Sequence, residues 1–175
     1  DIEAYAEDYA YLVFGLLELF QVDSDPAWLE WAITLQRRQD ELFCDEDAGG
    51  WFSTTGRDPN VLLRMKEEYD GAEPTASSVS VLNLLFLTHL VADAGWSERI
   101  DRTLKLFGTR LEQVGRAVPM MAAALSTYHT GVAQVVTAVG DGSEQDLERE
   151  VARRYLPFAV FLRTDDRSRA RLAGA

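Results

Sequence analysis

The chain has 175 residues, enough for one domain with a real core, and 47% of them are apolar, which argues against a disordered chain. Its 17 basic and 29 acidic side chains leave a net charge of −12. That charge repels a phosphate backbone and an anionic membrane surface, so nucleic acid and membrane are not expected as partners, while neutral ligands such as sugars stay open.

Residues 2–22 read as a helix, with Tyr5, Tyr9, Leu12, Leu16 and Phe20 at helical spacing and Val13 and Leu17 widening the stripe. Asp23-Ser24-Asp25-Pro26 ends it. Asp25 can cap a second helix with Pro26 at its first position, running to about Phe43 on an apolar side of Trp28, Leu29, Ala32, Ile33 and Leu35. Cys44 is the only cysteine, so no internal disulfide forms. Its acidic setting disfavours the thiolate, and a reducing compartment, the cytoplasm, is the expectation. Gly49-Gly50 breaks the helical rhythm. The strand-like residues 51–55 and 61–65 suggest a hairpin-like loop at about 49–66, turned by Gly56-Arg57-Asp58-Pro59-Asn60.

Pro74 delays the next helix, for which Ser77 or Ser78 is the expected cap, and that helix runs to about Val91. It is apolar almost all round, which means burial on most sides, and His89 inside it reads as a core histidine. A fourth helix starts at Ala94-Gly95-Trp96-Ser97 and carries Ile100, Leu104, Phe107, Leu111 and Val114 at helical period. Pro119 opens a fifth, ending near the surface residue His129. The pattern then changes to β-α-β: a strand over 134–139, a helix from about Ser143 to Tyr155, and a strand over 158–162. Gly140-x-Gly142 lacks the third glycine of a phosphate-binding turn and reads as a plain turn. The longest apolar run, 79–92, is too short and too polar to span a bilayer. The start at Asp1, without Met, suggests a piece of a longer protein.

The chemistry-bearing residues concentrate around Asp70-Gly71-Ala72-Glu73-Pro74-Thr75. Asp70 and Glu73 are the candidate acid and base, since paired carboxylates beside a cavity suit sugar chemistry. Their competing role is to cap a helix or to pair with Arg64 or Lys66, which share one face of the expected strand. Arg64 and Lys66 could equally hold a ligand hydroxyl or carboxylate. Asp8 and Tyr9 open the first helix and are candidate ligand contacts, though acids there also suit the helix dipole and Tyr9 sits on the core stripe. Trp51 is the expected stacking platform, partly exposed at a cleft, with Phe52 in the core. No nucleophile elbow, P-loop, complete dinucleotide fingerprint or Cys/His metal spacing occurs, so no cofactor and no metal is expected.

Apolar helix, short acidic turn, Trp and amphipathic helix recur around Trp28 and Trp96, the alternation of an α/α toroid. At Glu7-Asp8-Tyr9-Ala10, Trp28-Leu29-Glu30-Trp31-Ala32, Gly49-Gly50-Trp51-Phe52, Arg64-Met65-Lys66 and Asp70-Gly71-Ala72-Glu73-Pro74-Thr75 the chain resembles the spermatogenesis-associated protein 20 family. The likeness covers nearly the whole chain. It implies a thioredoxin-like domain at the N-terminus of complete members, followed by a six-hairpin α/α toroid similar to glycosidases and sugar epimerases. This chain would be the C-terminal part.

Ser77 stands where the family tends to carry Asn, and the family's thioredoxin-type cysteines lie outside this segment. The expected fold is therefore mainly α, with residues 1–131 forming helical hairpins of a toroid and 132–175 a small β-α-β unit. Two functions follow as expectations. One is a carbohydrate-binding or carbohydrate-active toroid that takes a sugar-like molecule. The other is a non-catalytic interaction module serving the thioredoxin-like domain.

Overall fold

The computed structural model describes residues 3–138 and 144–164. Helix α1 spans Ala6–Asp23, α2 Pro26–Phe43, α3 Ala76–Leu87, α4 Ala94–Val114 and α5 Pro119–Thr130, with a short 3-10 turn at Gly115–Ala117. Strand β1 spans Gln134–Ala138, α6 Glu144–Ala152 and β2 Val160–Thr164. The molecule is thus mainly helical with one small sheet. None of the described helices is long and apolar enough to cross a membrane.

Local signals set the helix starts. Asp25 Oδ1 accepts from the Ala27 N–H at 2.9 Å with Pro26 at the first position, as expected. Asp93 caps α4 by accepting from Gly95 and Trp96 N–H. The cap of α3 is Thr75, not Ser77 or Ser78: its hydroxyl accepts from the Ser78 N–H at 3.1 Å. The chain is still extended at Thr75, directly after Pro74, and both serines already lie within the helix.

Helix α3 is the axis of the packing. Eleven of its twelve residues are buried, and it contacts α1, α4 and α5, while α2 packs on α1. It ends at Leu87 rather than near Val91, so His89 falls in the following turn. There it is exposed, with Nδ1 at 2.7 Å from the Leu85 carbonyl, and it is not a core histidine.

The buried face of α1 is Ala6, Ala10, Val13, Leu16, Leu17 and Phe20, whereas Tyr5 and Leu12 point to solvent. Two alanines occupy the contact that the large side chains were expected to fill, because small residues let α1 lie close to its neighbours.

The hairpin expected over 49–66 is absent. Residues 44–75 form an irregular loop that holds one isolated bridge, Cys44 with Trp51, and, between residues 51–55 and 61–65, a single backbone-to-backbone cross-link from Ser53 N–H to the Met65 carbonyl at 2.8 Å. Other partners take the backbone groups that a ladder would use. The Gly50 N–H donates to Thr103 Oγ1, the Trp51 N–H to Ser77 Oγ, and the Phe52 N–H to the Phe43 carbonyl. Gly49 and Gly50 both have positive φ, 85° and 75°, and a Cβ on Gly49 would lie 2.8 Å from the Arg102 carbonyl carbon.

Strands β1 and β2 pair in parallel with Gln134 opposite Val160, the β-α-β unit read from the sequence. Its Gly140-x-Gly142 turn lies outside the described residues. The unit is tied to α1, as Phe161 N–H donates to Gln21 Oε1 and Arg163 N–H to Ser24 Oγ.

Candidate functional site

The N-termini of α1, α3 and α5 are linked through the 44–75 loop, and Asp70 is the residue that joins two of them. It is only 7% exposed. Its Oδ1 accepts from Thr75 N–H at 2.8 Å and Ser78 Oγ–H at 2.9 Å, beside the α3 N-terminus. Its Oδ2 accepts from Met120 N–H at 2.9 Å, at the start of α5, while its own N–H donates to the Ala117 carbonyl. Both oxygens are engaged with donors at helix N-termini, so this carboxylate clamps helices and has no oxygen turned to a cleft.

Glu73 is exposed and lines a shallow cleft of about 880 Å³ with Ser53, Lys66, Glu67, Glu68 and Tyr69. The two acids of the sequence motif therefore separate into a buried clamp and a cleft residue. Neither pairs with Arg64 or Lys66. Arg64 donates to the Thr54 and Leu42 carbonyls, and Lys66 donates to Asp45 Oδ2 at 2.8 Å and to the Gly49 carbonyl. Both cations sit over the Phe52 ring, at 4.2 Å and 5.0 Å. Their task is to brace the loop, although Lys66 also reaches the cleft wall.

Asp8 accepts the Tyr5 N–H at 2.8 Å and caps α1. Tyr9 is half-buried and its ring packs 5.6 Å from Phe43, a core contact. Trp51 is 1% exposed, so it offers no stacking face at a cleft. Its indole N–H donates to Asp40 Oδ1 at 3.0 Å. Phe52 is the more exposed member of the pair, because the Gly49-Gly50 turn rotates the tryptophan inward under α3.

Two groups were missed. The first is Glu7, half-buried in the first turn of α1. Burial raises its carboxyl above the ordinary range, its own backbone N–H opposes this, and Glu67, Asp8 and Glu73 add repulsion. The Tyr11 hydroxyl donates to the Pro74 carbonyl at 2.8 Å, and its pKa is raised by burial and then by Glu73, Asp70, Glu7 and Glu67. Glu7, Glu67 and Glu73 thus share one electrostatic neighbourhood. The sequence places Glu7 sixty residues or more from the other two and carries no local sign of the meeting.

The second is Asp40, which also accepts from Gln36 Nε2 at 2.9 Å and from the Trp96 indole N–H on α4 at 3.0 Å. Burial pushes its carboxyl upward, against the Arg99 charge and the three donors. Gln39 extends the network, donating to the Ala6 carbonyl and accepting from Gln36 and Ser80. The cluster is buried between α2, α4 and the loop and ties these elements together. Ser77 is likewise buried and accepts from Trp51 N–H. Burial pushes the Cys44 thiol up to about 11, which keeps it neutral.

A helical module with a carboxylate-lined cleft at one end of its helices is the class that this geometry defines. No family model matches the chain. Spermatogenesis-associated protein 20 of Homo sapiens is 38% identical over 165 residues, and its Rattus norvegicus counterpart is also 38% identical; each match covers 92% of this chain. An uncharacterised protein of Caenorhabditis elegans is 33% identical over 158 residues, 90% of the chain. The chain belongs to the spermatogenesis-associated protein 20 family. It spans about a fifth of the length of these relatives, 21% in each case.

Proposed function

We propose that this chain is part of an α/α toroid in a longer protein and that its cleft binds a neutral, sugar-like molecule. The observation that carries this reading is the cleft in which Glu67, Glu68 and Glu73 stand together beside Lys66, with the exposed ring of Tyr69 among them. Several carboxyl groups side by side in a cleft are the raw material of acid/base work in glycoside chemistry. In this reading Glu73 supplies a reacting carboxyl, Lys66 orients a hydroxyl, and Asp70 keeps the α3 and α5 termini in place. Helices α1, α3 and α5 would be inner helices of the ring, with their N-termini at its mouth.

A thermal-shift panel of neutral sugars and uronic acids tests it. A neutral sugar should raise the melting temperature of the chain by a few degrees, and Glu73→Gln should abolish the shift. No shift for any sugar would sink the carbohydrate reading.

A second reading, an interaction module serving a thioredoxin-like domain, is favoured by the same loop's apolar tip. Leu62 is 98% exposed and Leu63 72%, which suits a protein contact better than a sugar.

A further inference from the structure

Helix α1 has more apolar surface than this chain covers. Beginning at its cap residue, Tyr5, Asp8, Leu12, Gly15, Leu19 and Val22 follow one another in alternating steps of three and four residues, and all of them are exposed. That alternation keeps residues on one stripe and is the spacing of a helix–helix seam. Val22 is 84% exposed, and Leu12 and Leu19 are 46% exposed each. The other side of α1, from Ala6 to Phe20, is the side already packed in the core. A helix that is apolar on both sides is ordinarily buried on both. Helix α3 meets that rule, whereas α1 does not.

Two further features say what covers the stripe. The first is Gly15 at its centre, where an added Cβ would meet no atom within 4 Å. Glycine weakens a helix interior, and no neighbour in this chain uses the space it leaves, so its use is the close approach of a second backbone. The second is charge. No Lys or Arg occurs in residues 1–36, whereas α1 carries Glu7, Asp8, Glu18 and Asp23. None of these acids has an ion-pair partner among the described residues. The two arginines that follow on α2 are engaged: Arg37 lies over the Trp96 ring and Arg38 pairs with Glu41.

We propose that the outer stripe of α1 docks an amphipathic helix from outside this chain, one whose apolar side chains are flanked by Lys and Arg. Tyr5, Leu12, Leu19 and Val22 receive its apolar side chains, Gly15 admits its closest approach, and Asp8, Glu18 and Asp23 face its cations. A second copy of this chain is a poor occupant, because two such stripes bring their acids together and each chain carries a net charge of −12. The surface lies on α1 itself and holds whatever the carboxylate cleft binds.

Fluorescence anisotropy of the 175-residue chain with two synthetic helices tests the proposal. Both are about three heptads long and carry Leu at the same alternating steps; one has Lys and Arg beside the leucines, the other Glu. The basic helix should bind saturably and at least about tenfold more tightly than the acidic one. Gly15→Gln separates docking from attraction to the overall charge. It leaves the charge unchanged, meets open space and replaces glycine by a better helix former, so the urea midpoint should not fall. It should still weaken the basic helix by about tenfold, as should Leu19→Gln. Equal affinity for the two helices, no saturable binding of the basic one, or unchanged binding after either substitution would overturn the proposal. So would sedimentation of the unaltered chain as a dimer that Leu19→Gln dissociates, since a second copy would then be the occupant.

Discussion

Asp40 shows how much one side chain can organise when it is removed from water. Its two oxygens receive Gln36 of its own helix, Trp51 of the loop and Trp96 of α4. Truncation strands two buried indole N–H groups and an amide, each costing about 1–3 kcal/mol when unpaired. Asp40→Ala should therefore destabilise the chain by about 3 kcal/mol or more, read as a lower urea midpoint. Asp40→Asn, which keeps one acceptor, should lose clearly less. Equal losses would show that the indoles do not depend on the carboxylate. Gln36, Gln39 and Asp40 are polar residues on the buried stripe of α2 that runs from Leu29, Ala32 and Ile33 to Phe43. Their acceptors and donors lie as far away as Ala6 and Trp96, and nothing local marks such partners.

Among the elements, α3 depends on two layers of support at its start. Thr75 supplies the ordinary cap, worth about 1 kcal/mol, so Thr75→Ala should cost that much. Asp70 accepts from Thr75 and Ser78 and also from Met120 on α5, so Asp70→Ala should cost about 2–3 kcal/mol by urea denaturation. A loss no greater than that of Thr75→Ala would remove the clamp between the helices.

The caps at Asp25 and Thr75 differ in legibility for a physical reason. Asp25 is read from the Asp-Pro pair alone. Near Pro74 three hydroxyl residues, Thr75, Ser77 and Ser78, stand within four positions, and the phase of the helix, set by packing of α3, decides which one accepts. The absent hairpin follows the same logic: residues 51–55 have strand-forming side chains, but Ser77 and the Phe43 carbonyl take the Trp51 and Phe52 N–H groups.

For the molecule as a whole, the titrating groups oppose one another. Asp45 and Glu46 are lowered, the first chiefly by Ala48 N–H and Lys66, the second by Arg99, and the stability they add is lost as pH falls. Asp40 and Glu7 are raised, so the folded state holds their protons more tightly, and stability falls as pH rises from the ordinary carboxylate range through their folded values. Glu7→Gln removes one of these penalties. It should raise the urea midpoint at pH near 7 and leave it unchanged at about pH 3, where wild-type Glu7 is also neutral. A midpoint at neutral pH equal to or below the wild type's would show that Glu7 is not held up.

The sequence by itself determined the helical class, the extent of α2 and α4, the parallel β-α-β unit and the family. These rest on local periodicity, on caps of adjacent residues and on a motif that survives without its surroundings. Only the tertiary structure decided that Trp51 is buried, that Asp70 clamps while Glu73 faces a cleft, that Glu7 comes under the influence of Glu67 and Glu73, and that the Asn83 amide is buried against α1. Each of these is set by desolvation and by partners distant along the chain, and burial and hydrogen bonding are properties of neighbours in space.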